Sequence, residues 1–226
     1  MDARLHTLEI IYQAHQQEIS SLPLACKKGC ATCCTRNVTL TTLEARRLFD
    51  WIDQHAPQLM EKVKEEAQSP RQIPTYTMNG LTDLCMAQQE VPEEPSDPGW
   101  GACPLLSDQG ICQAYEARPF ACRSMVSKNS CQKDGFAEME ELTLTVNNVL
   151  MQYIEHTDDK GLTGNLTDLL LLMEDPDSRK AHEEESLSPP SSHFVANRPA
   201  QLLMVPPPHR DHVGALMQKI QSQKGA

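Results

Sequence analysis

Apolar residues recur at three- and four-residue steps from Leu5 through Leu8, Ile11 and His15 to Ile19. That spacing is one helical face, and it predicts an amphipathic helix over 3–20 that Pro23 ends. A second periodic stretch begins at Thr41. Thr41 with Glu44 three residues on makes a capping box, and Leu43, Arg47, Trp51 and His55 follow at four-residue steps beside Leu48 and Ile52. Pro57 interrupts it, and 58–68 reads as a further, more charged helix. Val38-Thr39-Leu40 has the character of a strand, but three residues cannot establish one. Leu142, Val146, Val149, Leu150 and Tyr153 predict a helix over 138–156, and 165–173 another, after Gly161 and Gly164.

Between these elements the periodicity fails. Residues 69–102 hold five prolines and three glycines, so an irregular connector is expected there, with a turn or two of helix at 81–89. After Asp175 the chain turns acidic and Pro-rich, with Glu183–Glu185, Ser188–Ser192 and Pro206–Pro208. Such a stretch is expected to be a tail, mobile or docked in extended form. Within it, Phe194, Val195 and 202–205 are apolar enough to pack on a surface, and a short helix fits 212–223. The pattern therefore predicts a mainly α fold: a small, irregular helical domain over 1–174, with its core in 23–157, and a low-complexity tail over 175–226.

Composition narrows the function. Aromatic residues are only 4%, so Leu, Ile, Val and Met must fill the core. The 226 residues carry 20 Lys and Arg against 31 Asp and Glu, a net charge of −11. Nucleic-acid binding needs a basic footprint that this balance does not supply, and an anionic membrane surface is disfavoured on the same ground. No apolar run is long enough to span a bilayer. The opening residues lack the pattern of an export signal, so a cytoplasmic protein is expected. No Walker loop, G-x-G-x-x-G, G-x-S-x-G or H-E-x-x-H motif is found, so a nucleotide-binding or hydrolase reading has no residues to stand on.

Cysteine changes the picture most. There are nine, an odd number, and in a reducing compartment metal binding is a better reading than disulfides. Cys26, Cys30, Cys33 and Cys34 form C-x3-C-x2-C-C. Cys103, Cys112, Cys122 and Cys131 follow at spacings of eight to nine intervening residues. Close spacing lets a turn aim several thiolates at one point, and Gly29 can take the positive φ such a turn needs. From Pro23 to Arg47 five cations, Lys27, Lys28, Arg36, Arg46 and Arg47, stand against Glu44 alone, which favours thiolates. Scattered cysteines are often small core residues; four in nine residues are not scattered. Cys85 stands apart and is expected to be a buried small apolar residue. Arg118 and Arg123 are candidates for donors around the site, with surface ion pairs as the plainer reading. The dispersed histidines, His209 and His212 among them, and the acidic Asp83, Glu90, Glu93, Glu94 and Asp97 read as solvated.

The first group followed by Val38–Thr41 and Glu44, then Cys103-Pro104-Leu105-Leu106, then Cys112-x-x-Tyr115-Glu116-x-Arg118-Pro119-x-x-Cys122-Arg123, resembles the YkgJ-type cysteine-cluster family named for its CxxCxxCC motif. The resemblance spans roughly 23–135 and departs from the family name by a first gap of three residues. It implies a metal site built from Cys26, Cys30, Cys33, Cys34, Cys103, Cys112, Cys122 and Cys131, holding zinc or an iron–sulfur cluster of the 4Fe-4S type. The reading favoured is a non-enzymatic metal-binding protein, a redox or interaction module working with another protein; a relative that methylates flagellin lysines keeps a protein-modifying enzyme as the alternative, and a structural zinc protein or metal carrier is a third reading. Cys26-x3-Cys30-x2-Cys33 also has the spacing of radical S-adenosylmethionine enzymes, but their partial barrel needs βα units that this pattern lacks. The two groups are expected to converge. Sulfurs sharing a four-coordinate zinc would lie about 3.5–4 Å apart, and those around a four-iron cluster about 6–7 Å.

Overall fold

The computed structural model describes residues 2–131 and 135–224. Nine α-helices, three single-turn 3-10 helices and one small sheet account for the regular structure among them, as a mainly α fold requires. α1 (Ala3–Ser20) starts on Asp2, whose side chain accepts from the Arg4 amide. β1 (Thr39–Thr41) leads into α2 (Thr42–His55), and the capping box forms in full between Thr41 and Glu44. α3 (Leu59–Glu65), α4 (Met78–Met86) and α5 (Phe120–Ser124) follow, then α6 (Glu141–Thr157), β2 (Leu162–Asn165), α7 (Leu166–Glu174) and α8 (Pro176–Glu183). β3 (Phe194–Ala196) and α9 (Arg210–Lys224) complete the chain. The sheet is antiparallel in the order β1-β2-β3, with Leu40 opposite Gly164 and Gly164 opposite Phe194.

Two apolar clusters hold these elements. One joins Leu48, Phe49 and Ile52 of α2, Leu59, Met60 and Val63 of α3, and Leu166, Leu169, Leu170 and Met173 of α7. The other joins Leu8, Ile11 and Tyr12 of α1, Leu43, Phe120, and Val146, Val149, Leu150 and Ile154 of α6. The second cysteine segment lies between them: Leu105, Ala114 and Ala117 enter the first cluster and Phe120 the second.

The C-terminal segment is more than a low-complexity tail. Val213, Leu216 and Ile220 of α9 are buried in the second cluster, and His182 of α8 is 1% exposed. The reason is periodicity at three- and four-residue steps within an otherwise polar sequence: three apolar side chains suffice to seat one face of a helix on α1. β3 adds backbone pairing to β2 that composition does not predict.

A buried carboxylate ties the segments together. Asp158, which ends α6, accepts from Thr42 Oγ1 (2.6 Å), from the Leu43 amide in the first turn of α2 (2.9 Å) and from His182 Nε2 (2.8 Å). Asn197, just beyond β3, donates to the Asp158 backbone carbonyl (2.8 Å). A carboxylate at a helix N-terminus also meets the positive end of the helix dipole. Gly161 passes so close that a Cβ there would collide with Asp158 Oδ2 and Thr42 Oγ1.

Candidate metal centre

Two consecutive turns shape the first cysteine group. The Cys30 amide donates to the Lys27 carbonyl and the Cys34 amide to that of Ala31, both at 2.9 Å. Gly29 takes φ +90° between the lysines and Cys30, so the conformation expected of it is the one it adopts. The chain thus folds back twice in nine residues, which brings its thiols to one side.

The second group is shaped by a hairpin and a short helix. The Leu106 amide closes a turn on the Cys103 carbonyl (3.0 Å), Leu106 and Cys112 form an antiparallel bridge, and the Gln113 amide donates to Leu105 (2.9 Å). Cys112 is thereby returned beside Cys103. Pro119 caps α5 from outside, accepting from the amides of Cys122 and Arg123, and Cys122 sits in the middle of that helix. α5 is anchored at both ends. The Glu44 carboxylate, fully buried, accepts from the Phe120 amide (2.6 Å) and the Tyr12 hydroxyl (2.8 Å). At the other end Asn147 donates to the Ser124 carbonyl (2.9 Å) and accepts from His15 Nε2 (3.0 Å).

The two groups are then joined backbone to backbone. The Cys103 amide donates to the Cys34 carbonyl (3.0 Å), the Arg36 amide to Gly101 (3.1 Å), and Thr35 bridges Ala102. At the other end the Ala25 amide donates to the Ser127 carbonyl (2.8 Å), and the Cys26 thiol lies 3.9 Å from the Met125 carbonyl. All eight expected cysteines, Cys26, Cys30, Cys33, Cys34, Cys103, Cys112, Cys122 and Cys131, line a single cavity of about 610 Å³. All nine cysteines are free thiols. They ring the space rather than meet at a point: among the described residues, no three Cys, His, Asp or Glu side chains are placed to hold one metal ion. Cys85 is not among the lining residues; it is exposed on α4, not buried as expected. The signal missed there was its position on the open face of a short helix.

Ionisation reflects this crowding. The vicinal Cys34 thiol, placed to share its proton, brings Cys33 down to about 6, with Arg118 assisting, and the same pairing drives Cys34 upward. Burial pushes Cys103 up to about 12 and raises Cys112 and Cys122. Neighbouring thiols raise these further: Cys103 and Cys112 act on Cys122, and Cys33, Cys103 and Cys122 act on Cys34. Cys26 is raised by burial and then by Cys30, Cys131 and Cys33. Thiols so placed cannot all ionise beside one another unless a cation compensates them, which is what a bound metal does. Free thiols are the donor chemistry that a thiophilic metal takes.

Cationic side chains stand close by. Arg118 stacks on the Tyr115 ring, 3.6 Å from its centroid, and donates to the Tyr115 carbonyl; Arg123 donates to the carbonyls of Arg118 and Glu116. Both arginines therefore brace the loop that leads into α5. Lys62 offsets charge at Cys103. Of the residues read as solvated, Glu94 instead organises the connector, accepting from the Thr75 amide and hydroxyl, the Tyr76 amide and Gln72. The residue that sequence reasoning underrated most is Glu44, whose capping pattern was legible but whose reach to α5 was not.

A family model, CxxCxxCC, described as "Putative zinc- or iron-chelating domain", matches residues 25–143, just over half of the chain and every one of the eight cavity cysteines. No curated protein and no solved structure matches the chain.

Proposed function

The chain belongs to the CxxCxxCC family of zinc- or iron-chelating domains, and on that footing we propose that it is an iron–sulfur protein, its cysteines drawn from both groups. The observation that carries the reading is the ring of eight free thiols around one cavity. Thiols that ring a space without three of them meeting at one point suit a multi-atom cluster better than a single closed zinc ion, whose thiolates must approach within about 2.3 Å of one point. When bound, such a cluster supplies reversible one-electron chemistry at a potential set by charge, hydrogen bonding and solvent exposure. The chain's own residues then have distinct tasks. Glu44 and Asn147 hold α5, and with it Cys122, in register. Arg118 and Arg123 fix the approach to α5 and place positive charge beside the thiolates. Leu48, Leu105 and Ala114 shield the inner side from water.

The role we assign is that of a redox or interaction module for another protein. In support, the cavity rim carries exposed Met125 and Phe136, 43% and 69% accessible, beside the exposed Lys27. Apolar side chains beside a cation form a surface that suits a protein partner better than open water. The test is purification under anaerobic conditions with analysis of iron, acid-labile sulfide and zinc. A brown protein absorbing at about 400 nm and bleaching on reduction is expected. A colourless protein with stoichiometric zinc would overturn the iron–sulfur reading in favour of a structural zinc centre.

A further inference from the structure

Every charged side chain that lines the cavity among the described residues is cationic: Lys27, Arg118 and Arg123. No Asp or Glu lines it there, in a chain that carries 31 acidic residues against 20 Lys and Arg. We propose that the mouth of this cavity is a docking surface for an acidic segment of another protein, its carboxylates meeting Lys27, Lys28 and Arg118 and its apolar side chains meeting Met125 and Phe136. Such a partner rests on the interaction role proposed above and gives it a chemistry.

The positive charge here is oriented but not cancelled. The Arg118 guanidinium stacks 3.6 Å from the centroid of the Tyr115 ring, and its Nε donates to the Tyr115 carbonyl (3.0 Å). Arg123 donates to the carbonyls of Arg118 and Glu116, both at 2.7 Å. A carbonyl is a neutral acceptor, so these bonds fix direction and leave the charge in place. The Lys28 ammonium stands 5.6 Å from the centroid of the same ring. Among the described residues none of Lys27, Lys28, Arg118 and Arg123 is in an ion pair, whereas Arg36, Arg46, Arg47 and Arg71 each hold a carboxylate. Thiolates at a metal centre draw on the cations inside the cavity. Lys27 and Lys28 face solvent and are left for a partner.

Apolar side chains complete the surface. Phe136 and Met125 line the cavity yet stand open to solvent, and Phe136 is the most exposed large apolar residue among those described. Interface cores are enriched in aromatic residues, Met and Arg, and Phe136, Tyr115, Met125, Arg118 and Arg123 all line this one cavity. An exposed aromatic ring gains from losing water only against apolar atoms, so a free inorganic anion would leave that part of the surface unused. The range of the field favours a narrow segment over an extended anionic surface. Charges are screened beyond about 10 Å at 0.1 M salt. A peptide at the mouth therefore meets these cations, while a bilayer lies under the whole molecule and meets its net charge of −11.

The experiment measures binding of the full-length chain, purified under anaerobic conditions, to short labelled peptides by fluorescence anisotropy. One peptide is built of Glu and Leu, one has Gln for every Glu, and one has Ala for every Leu. The first is expected to bind at low ionic strength at least about tenfold more tightly than either counterpart, and to weaken by about as much at about 1 M salt, where screening shortens to about 3 Å. Lys27→Glu with Lys28→Glu should abolish binding. Lys160→Glu with Lys180→Glu, at exposed lysines outside the cavity lining, makes the same change in net charge and should leave most of it. Phe136→Ser, which alters no charge and no thiol, should weaken binding about tenfold. Failure of the Glu–Leu peptide to bind, equal binding of its Gln counterpart, equal loss in the two double variants, or binding to phosphatidylserine vesicles in place of the peptide overturns the docking surface. Iron, sulfide and zinc are measured on the same samples. A chain that holds its metal but no peptide overturns the docking surface alone; one that binds the peptide without metal overturns the iron–sulfur reading and leaves the surface standing.

Discussion

Gly161 is the residue at which backbone proximity is least forgiving. Any Cβ at this position must displace Asp158 or Thr42, the two groups on which α2, α6 and β2 converge. Gly161→Ala is therefore expected to destabilise the fold by about 1–3 kcal/mol or more, seen as a lower urea midpoint. Titration at His15 gives a second expectation. Burial against Phe120 lowers it from 6.5 to about 4, although Asn147 holds its ring as an acceptor of the Nε2 proton. In the unfolded chain the ring protonates at about 6.5; between that value and about 4 the unfolded state binds the extra proton. The contribution is thus complete above about 6.5 and is lost as pH falls toward 4. Urea midpoints measured from pH 7 to 4 should fall less steeply for His15→Gln, which keeps a donor toward Asn147 and removes the titration.

Among the elements, α5 shows how a five-residue helix is held. It is too short to be stable by itself, and its position comes from outside: Glu44 at its first amide, Asn147 at its last turn and Phe120 in the apolar cluster. Glu44→Gln replaces one of two acceptor oxygens with a donor facing other donors. Loss of about 1–3 kcal/mol is expected from the unpaired buried groups, together with faster release of metal to a chelator, because Cys122 rides on this helix. Leu43→Val, buried nearby in the second cluster without touching that hydrogen-bond set, should lower stability without a matching change in metal release. α9 makes the complementary point. Removing 207–226 uncovers α1 where Val213, Leu216 and Ile220 pack, a loss of roughly 5 kcal/mol of apolar burial. A lower melting midpoint and more binding of a hydrophobic dye are expected from the truncated chain.

On the scale of the molecule, the two cysteine groups face one cavity across a long loop. Cys34 and Cys103 enclose β1, α2, α3 and α4, and the cost of closing such a loop rises only slowly with its length. Ligation by thiols from both groups would therefore constrain the unfolded chain strongly, as coupled metal binding and folding does in small metal domains. Stripping the metal with a chelator should lower the melting midpoint of the unaltered chain. Cys34→Ser and Cys103→Ser should each reproduce part of that shift, with reduced metal content by elemental analysis. The two apolar clusters meet at α2, with Leu43 in one and Leu48 in the other, so destabilisation at the metal site should spread to both. Far-ultraviolet circular dichroism and hydrogen exchange in α3 and α6 would detect it. No helix among the described residues is long and apolar enough to cross a membrane.

Much of this was determined by local chemistry. The capping box at Thr41 and Glu44, the faces of α1 and α6, the turn at Gly29 and the grouping of cysteines all depend on neighbours within about four residues, and such signals survive in a sequence read alone; the row Leu43, Arg47, Trp51 and His55 does not mark the buried face of α2, which runs through Leu43, Leu48, Phe49 and Ile52. The metal family was legible for the same reason, since its motifs are runs of closely spaced residues. What only the tertiary structure decided involves partners far apart along the chain. Asp158 meets Thr42 and His182, Glu44 reaches Phe120, and β3 pairs with β2. The helix of the C-terminal segment gains its place from the surface of α1, not from its own composition. The facing of the two cysteine groups across one cavity also depends on hydrogen bonds between segments 65 to 102 residues apart; spacing within each group carries no record of them, because the backbone atoms that make them are common to every residue.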